Sequence, residues 1–212
     1  MRKFFIAVLL TALSVTLLAQ PAMAGGGSVP PNSNAFGNSR ATWATEYTQW
    51  ILGDSSNPLF TPGCGEMVDG AYFMETFLES GAVLNCDVPV GVPIVVSHAG
   101  YYAWIPDDGL TDQAIEATAA AAFQTSESTF TLDGRSIPLV TTTLKAFDVI
   151  SEPGSAYDTV IGLGTGPIRT ALVGQVTVLR PLTPGDHTVY ATVDFAPAGG
   201  PFLDVTYHIH VG

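Results

Sequence analysis

Four histidines, His98, His187, His208 and His210, carry most of the chemistry this 212-residue sequence offers. His208 and His210 are one residue apart in the run Leu203–Val211, where polar and apolar residues alternate. On a strand they project from one side about 7 Å apart, the start of a metal site that needs a third ligand and an outer shell. That side is the polar one, so two solvated imidazoles on an outer face fit the pattern equally well. His187 has the parity of the buried face and follows a Pro-Gly turn; a ring there bonds a backbone carbonyl and fixes the turn. His98 opens the stretch Ser97–Asp108, which leaves a predicted strand for a loop, where binding residues tend to sit on a rigid scaffold. His98, Tyr101, Tyr102 and Trp104 are therefore the candidate binding residues.

Other chemistries find less support. Ser97 and His98 are neighbours, and on an extended chain neighbours point to opposite faces, so they cannot form a nucleophile–base pair. The nucleophile-elbow motif GxSxG is absent. Carboxylate pairs for glycoside hydrolysis can be drawn from Glu66, Asp69, Glu75 and Glu79, or from Asp107 and Asp108, but in so acidic a chain no pair stands out. Gly162, Gly164 and Gly166 lack the spacing and following helix of a phosphate loop. No catalytic residue is assigned, and no cofactor is implied.

Two cysteines, Cys64 and Cys86, make one disulfide the default in an exported chain. Metal binding would need further ligands at short spacing, and a catalytic thiol would leave the other cysteine unexplained. Export is read from the N-terminus: Arg2 and Lys3, the apolar run Phe4–Ala19, and Ala22-Met23-Ala24 as a small-residue cleavage site, giving a signal peptide over 1–24. The run is short for a membrane span, and no later stretch is apolar and long enough to cross. The expected location is thus secreted or periplasmic. A formal net charge of −12 disfavours nucleic acid and anionic membrane partners. A carbohydrate or an envelope protein is the partner class left.

The elements that would position these residues are mostly strands. His187–Phe195 and Leu203–Val211 alternate with period two, bounded by the Gly/Pro turns PLTPG and PAGGP. Ala71–Leu78 and Gly81–Val96 read as further strands. Asp133-Gly134, between β-prone runs at Ser128–Leu132 and Ile137–Thr143, suits a type I′ hairpin. Leu144–Ile150 extends the strand count, and Pro153–Pro167 is loop-like. Trp43, Tyr47 and Trp50 fall on one stripe of a helix over Ala41–Leu52, capped by Ser39 or Thr42; such a stripe either docks the helix on a sheet or stacks sugars. Leu110–Gln124 is a second helix whose alanine face should lie close against something flat. Residues 25–40 are expected to be a flexible leader, and 41–212 one domain.

The order of these pieces resembles a group of uncharacterised secreted bacterial proteins. The matching residues are Trp43 and Trp50, Asn57-Pro58, Cys64, Phe77-Leu78, Cys86-Asp87-Val88-Pro89 with Gly91, and Asp133-Gly134. Pro181–Val189 and Asp204–Tyr207 complete the set, and the close is similar to the last strands of Ig-like extracellular domains. The resemblance implies the fold and the disulfide, and no mechanism. The expected architecture is an antiparallel β-sandwich, Ig-like or jelly-roll-like, with one or two short helices at its edge. The expected role is a non-catalytic binding or envelope module; the alternative is a secreted hydrolase or metal-dependent enzyme on a jelly-roll-like scaffold.

Overall fold

A strand with one wet face alternates in sequence, whereas one buried on both faces reads as a continuous apolar run. The ten strands among the described residues divide along that line. The computed structural model describes residues 27–30, 33–56, 58–59, 63–75, 80–124, 127–194 and 202–212, without the His98 side chain. The expected signal peptide, Asn57, Phe77, Leu78, Glu79 and the PAGGP turn lie outside the described residues.

In chain order, helix α1 (Arg40–Thr48) runs into a π-helical turn (Gln49–Gly53) and is followed by β1 (Gly65–Val68), β2 (Ala71–Met74), β3 (Ala82–Val88) and β4 (Ile94–Trp104). Helix α2 (Asp112–Phe123), β5 (Glu127–Leu132), β6 (Arg135–Ser136) and β7 (Thr141–Ser151) come next. A second π-helical turn (Ala156–Val160), β8 (Gly166–Leu179), β9 (Gly185–Asp194) and β10 (Phe202–Val211) complete the order. The first sheet runs β1-β2-β4-β8-β7 and the second β3-β10-β9-β5-β6. The antiparallel expectation needs one correction: β2 pairs with β4, and β3 with β10, in parallel. Consecutive strands β2, β3 and β4 go to alternate sheets, so β2 meets β4 across a connection long enough to bring the chain back in the same direction.

The second sheet has the alternation the sequence shows. Val189, Val193, Val205 and Ile209 are buried, and Val189, Val205 and Ile209 meet Met74, Ile94 and Val96 across the sandwich. The first sheet is covered twice. Trp43, Tyr47, Trp50 and Ile51 of α1 and its π turn pack on one face, over Phe73, Val95, Leu172 and Val176. The other face is shared, part lying against the second sheet and part against Ile115 and Ala119 of α2 over Ala103, Ala171 and Val173. The helices therefore lie on sheet faces, a correction to the edge position expected for them. An alanine face permits close approach to a sheet, and a Trp/Tyr stripe buries a large area, so both have reason to dock there.

Local chemistry sets the element ends. Ser39 accepts from the Thr42 amide at 3.1 Å to cap α1, and Thr111 accepts from the Ala114 amide at 3.2 Å to cap α2. Asp133 and Gly134, at φ 50° and 72°, make the tight turn expected of the type I′ pair. The arm that follows is only β6, because Thr141 onward crosses to the first sheet as β7. Gly65, at φ 114°, passes so close to the Phe73 carbonyl that a Cβ would sit 1.8 Å from its oxygen. Described residues of the leader make contacts: Ser28 bridges Leu179, the Val29 amide donates to Val178 at 2.8 Å, and Ala35 accepts from the Trp43 indole at 3.1 Å. The Cys64–Cys86 disulfide forms, tying the approach to β1 to the middle of β3.

Candidate functional site

Of the residues nominated on β4, Tyr101, Tyr102 and Trp104 do not all share a face. Tyr102 and Trp104 lean toward the α1 side of the first sheet, and Tyr101 toward α2 on the other. Burial pushes the Tyr102 phenol up to about 12. Trp104 stacks edge-on against Tyr157 with centroids 5.6 Å apart, and its indole donates to Asp107 at 3.1 Å. Asp108 accepts from the Trp104 amide at 3.2 Å, so the mixed polar stretch closes a turn after the strand. The β4–β8 register shifts between Ser97 and Ala99, which makes His98 the extra residue of a bulge.

The outer face of the second sheet does gather chemistry. Strand registers set its residues in rows. Asn85, His208 and Thr188 form one row, and Asp87, His210 and Asp186 the next. Together they line an open groove of about 430 Å³. His210 meets Asp186 through Nδ1 at 2.7 Å. That bond, with the charges of Asp186 and Asp87, raises the imidazole above its ordinary range. Both partners are exposed, at 61% for His210 and 90% for Asp186, so water screens the pair. Farther along lie Val83, Thr206, Tyr190 and Thr131, then Asp204, Thr192 and Thr129, and finally Phe202, Asp194 and Glu127. Asp204 accepts from the Gly81 amide at 2.8 Å and so fastens the start of β3.

His208 and His210 thus share a side, as their spacing predicts, with carboxylates on both neighbouring strands. Among the described residues, no three His, Cys, Asp or Glu side chains are placed to hold a metal ion. Sequence reasoning missed Asp87 and Asp186 as their neighbours. Asp186 could have been found by folding β9 against β10 as a hairpin. Asp87 could not, because a parallel pairing leaves no local signal.

His187 lies at the groove's rim with its ring turned in. Its Nδ1 meets Asp133 at 2.8 Å and its Nε2 the Thr183 carbonyl at 2.9 Å, the turn-fixing bond expected of it. Burial opposes its charge, but these two bonds and the nearby carboxylates outweigh that and raise its pKa.

Elsewhere, Glu66 and Glu75 share a face of the β1–β2 hairpin, since Glu66 opposes Phe73 two residues before Glu75. The Trp50 indole donates to Glu66. Burial, aided by the charge of Glu66 and opposed by a bond from the Gly63 backbone, pushes Glu75 up to about 7. The Trp43, Tyr47 and Trp50 stripe is core, each ring within 6.1 Å of Phe73 by centroid, and none is offered for sugar stacking.

No protein-family model and no curated protein matches this chain. Among solved structures it is similar to a cysteine protease inhibitor from Entamoeba histolytica, at 9% identity and a TM-score of 0.27 over 63% of this chain and 88% of that one. A second is PbICP-C in complex with falcipain-2, at 9% identity and a TM-score of 0.27 over 71% and 98%. A third is amebosin, at 11% identity and a TM-score of 0.23 over 61% and 89%. Scores this low do not establish a shared fold. No helix among the described residues is long and apolar enough to cross a membrane.

Proposed function

We propose that this protein is an exported, non-catalytic binding module that holds a macromolecular partner on the outer face of its second sheet. One observation carries the reading: among the described residues the first sheet is covered on both faces, whereas the second keeps one face open across β3, β10, β9 and β5. That face is built on hydrogen-bonded strands, which suits recognition by a rigid surface. The test is binding of purified mature protein to polysaccharides and cell-envelope fractions, with Tyr190→Ala and His208→Ala as variants. Retained binding in both variants would remove this face from the reading, and turnover without binding would replace it with an enzyme.

A hydrolytic reading has one observation in its favour, the Glu75 carboxyl held near 7 beside Glu66 and an aromatic cluster. Turnover of chromogenic glycosides that vanishes in Glu75→Gln would support it; turnover equal in both proteins would end it.

A further inference from the structure

The open face is uneven in charge. Its strands β3, β5, β9 and β10 carry Asp87, Glu127, Asp186, Asp194 and Asp204, all at outward positions, and neither Lys nor Arg; the His210 imidazole pairs with Asp186, and Arg135 of edge strand β6 stands in register with the inward Leu132. On the first sheet, cations accompany the acids: Lys145 meets Glu116 at 2.8 Å, and Arg169 meets Asp112 and Asp148 at 2.7 and 3.2 Å. The guanidinium of Arg40 donates to the Val176 and Val29 carbonyls.

The arrangement of the face is as telling as its sign. Its middle row, Val83, Thr206, Tyr190 and Thr131, holds no charge and includes apolar surface, with Val83 58% and Tyr190 36% exposed. Carboxylates stand at both ends, Asp87 and Asp186 at one, Glu127 and Asp194 beside the exposed Phe202 at the other. A partly apolar centre between charged margins is how protein contact surfaces are built, with an aromatic anchor inside and charges at the rim that steer the partner. A sugar platform would present aromatic rings in series, whereas the two exposed aromatic residues of this face, Tyr190 and Phe202, stand two rows apart.

Resting on the reading of this face as the contact surface, we infer that its occupant is a cationic polypeptide surface. Lys and Arg side chains of the partner meet the two acidic ends, and an apolar side chain packs on Val83 and Tyr190.

The test uses the full mature chain, labelled with ¹⁵N, and decalysine as probe, with the neutral sugar cellohexaose beside it. Two sets of exposed isosteric changes are compared, Asp87→Asn with Glu127→Gln and Asp186→Asn on the second sheet, and Asp69→Asn with Asp107→Asn and Glu152→Gln on the first. The expected result is amide shifts at outward residues of β3, β5, β9 and β10, weakened about tenfold or more by the first set and less than about threefold by the second. Unchanged thermal unfolding of both sets confirms that folding is not the cause. Equal losses in the two sets would mean general acidity and would overturn the inference, as would the absence of shifts with decalysine. Shifts on these strands with cellohexaose alone would leave the face as the contact surface and refute the cationic occupant. Shifts confined to the first sheet would refute both.

Discussion

Replacing His187 tests how the neighbouring strands β9 and β5 are clasped at one end of the second sheet. Its side chain is only 8% exposed, and both ring nitrogens face acceptors, Asp133 at 2.8 Å and the Thr183 carbonyl at 2.9 Å. A neutral imidazole has one N–H and satisfies one of them; the imidazolium satisfies both. Asp133 also accepts from the Thr188 amide at 2.9 Å, so the ring joins the β5–β6 turn, the Pro-Gly turn and the start of β9. A charge-assisted bond contributes about 1.5–3 kcal/mol and a neutral one about 1. Asp133 is 36% exposed, which argues for the lower half of the first range. His187→Ala should therefore cost about 2–3 kcal/mol, or about 5–10 °C in Tm for a chain of this size. The folded pKa is raised, so the increment is complete below the unfolded value near 6.5 and is lost as pH rises through the folded value. The assay is reversible unfolding of both proteins from pH 5.5 to 9. His210 titrates with the same sign but is common to both, so it cancels in the difference. The gap in Tm should be widest near pH 6 and shrink toward pH 9, and Asp133→Asn should flatten the dependence. A gap that is constant or widens with pH would refute the charged clasp.

Glu75 works in the opposite chemical sense with the same outcome for pH. Its folded value near 7 lies above the ordinary Glu range, so stability should fall as pH rises through about 7, and Glu75→Gln should remove that slope in the same unfolding series. Reducing the Cys64–Cys86 bridge, whose cysteines are 22 residues apart, should cost about 3 kcal/mol on the loop-entropy estimate, read as a lower denaturant midpoint with reductant. Tyr207→Phe should cost about 1–2 kcal/mol, since its hydroxyl donates to the Glu75 carbonyl at 2.6 Å from a buried position. Gly65→Ala should do more harm than either, because its Cβ would sit inside the Phe73 carbonyl; circular dichroism and yield of folded protein check it.

What could be read from the residues follows from which faces are wet. β9 and β10 keep one side in water, so their alternation alone sets both the strands and the direction of His187, His208 and His210. Asp133-Gly134 announced its turn because few other residues accept positive φ at both positions. The even cysteine count gave the disulfide. β8, by contrast, is buried along most of its length on two sides, so its sequence carried no period from which to place α1 or α2. The pairing of β3 with β10, which sets Asp87 beside His210, joins segments more than a hundred residues apart and depends on packing alone. So the chain by itself determined its one-sided strands, β9 and β10, and the inward or outward sense of their side chains, a matter of local alternation. Only the tertiary structure decided which strands are neighbours, which face stays open and which acids meet there, because those are fixed by how apolar surface is shared between sheets and helices distant in sequence.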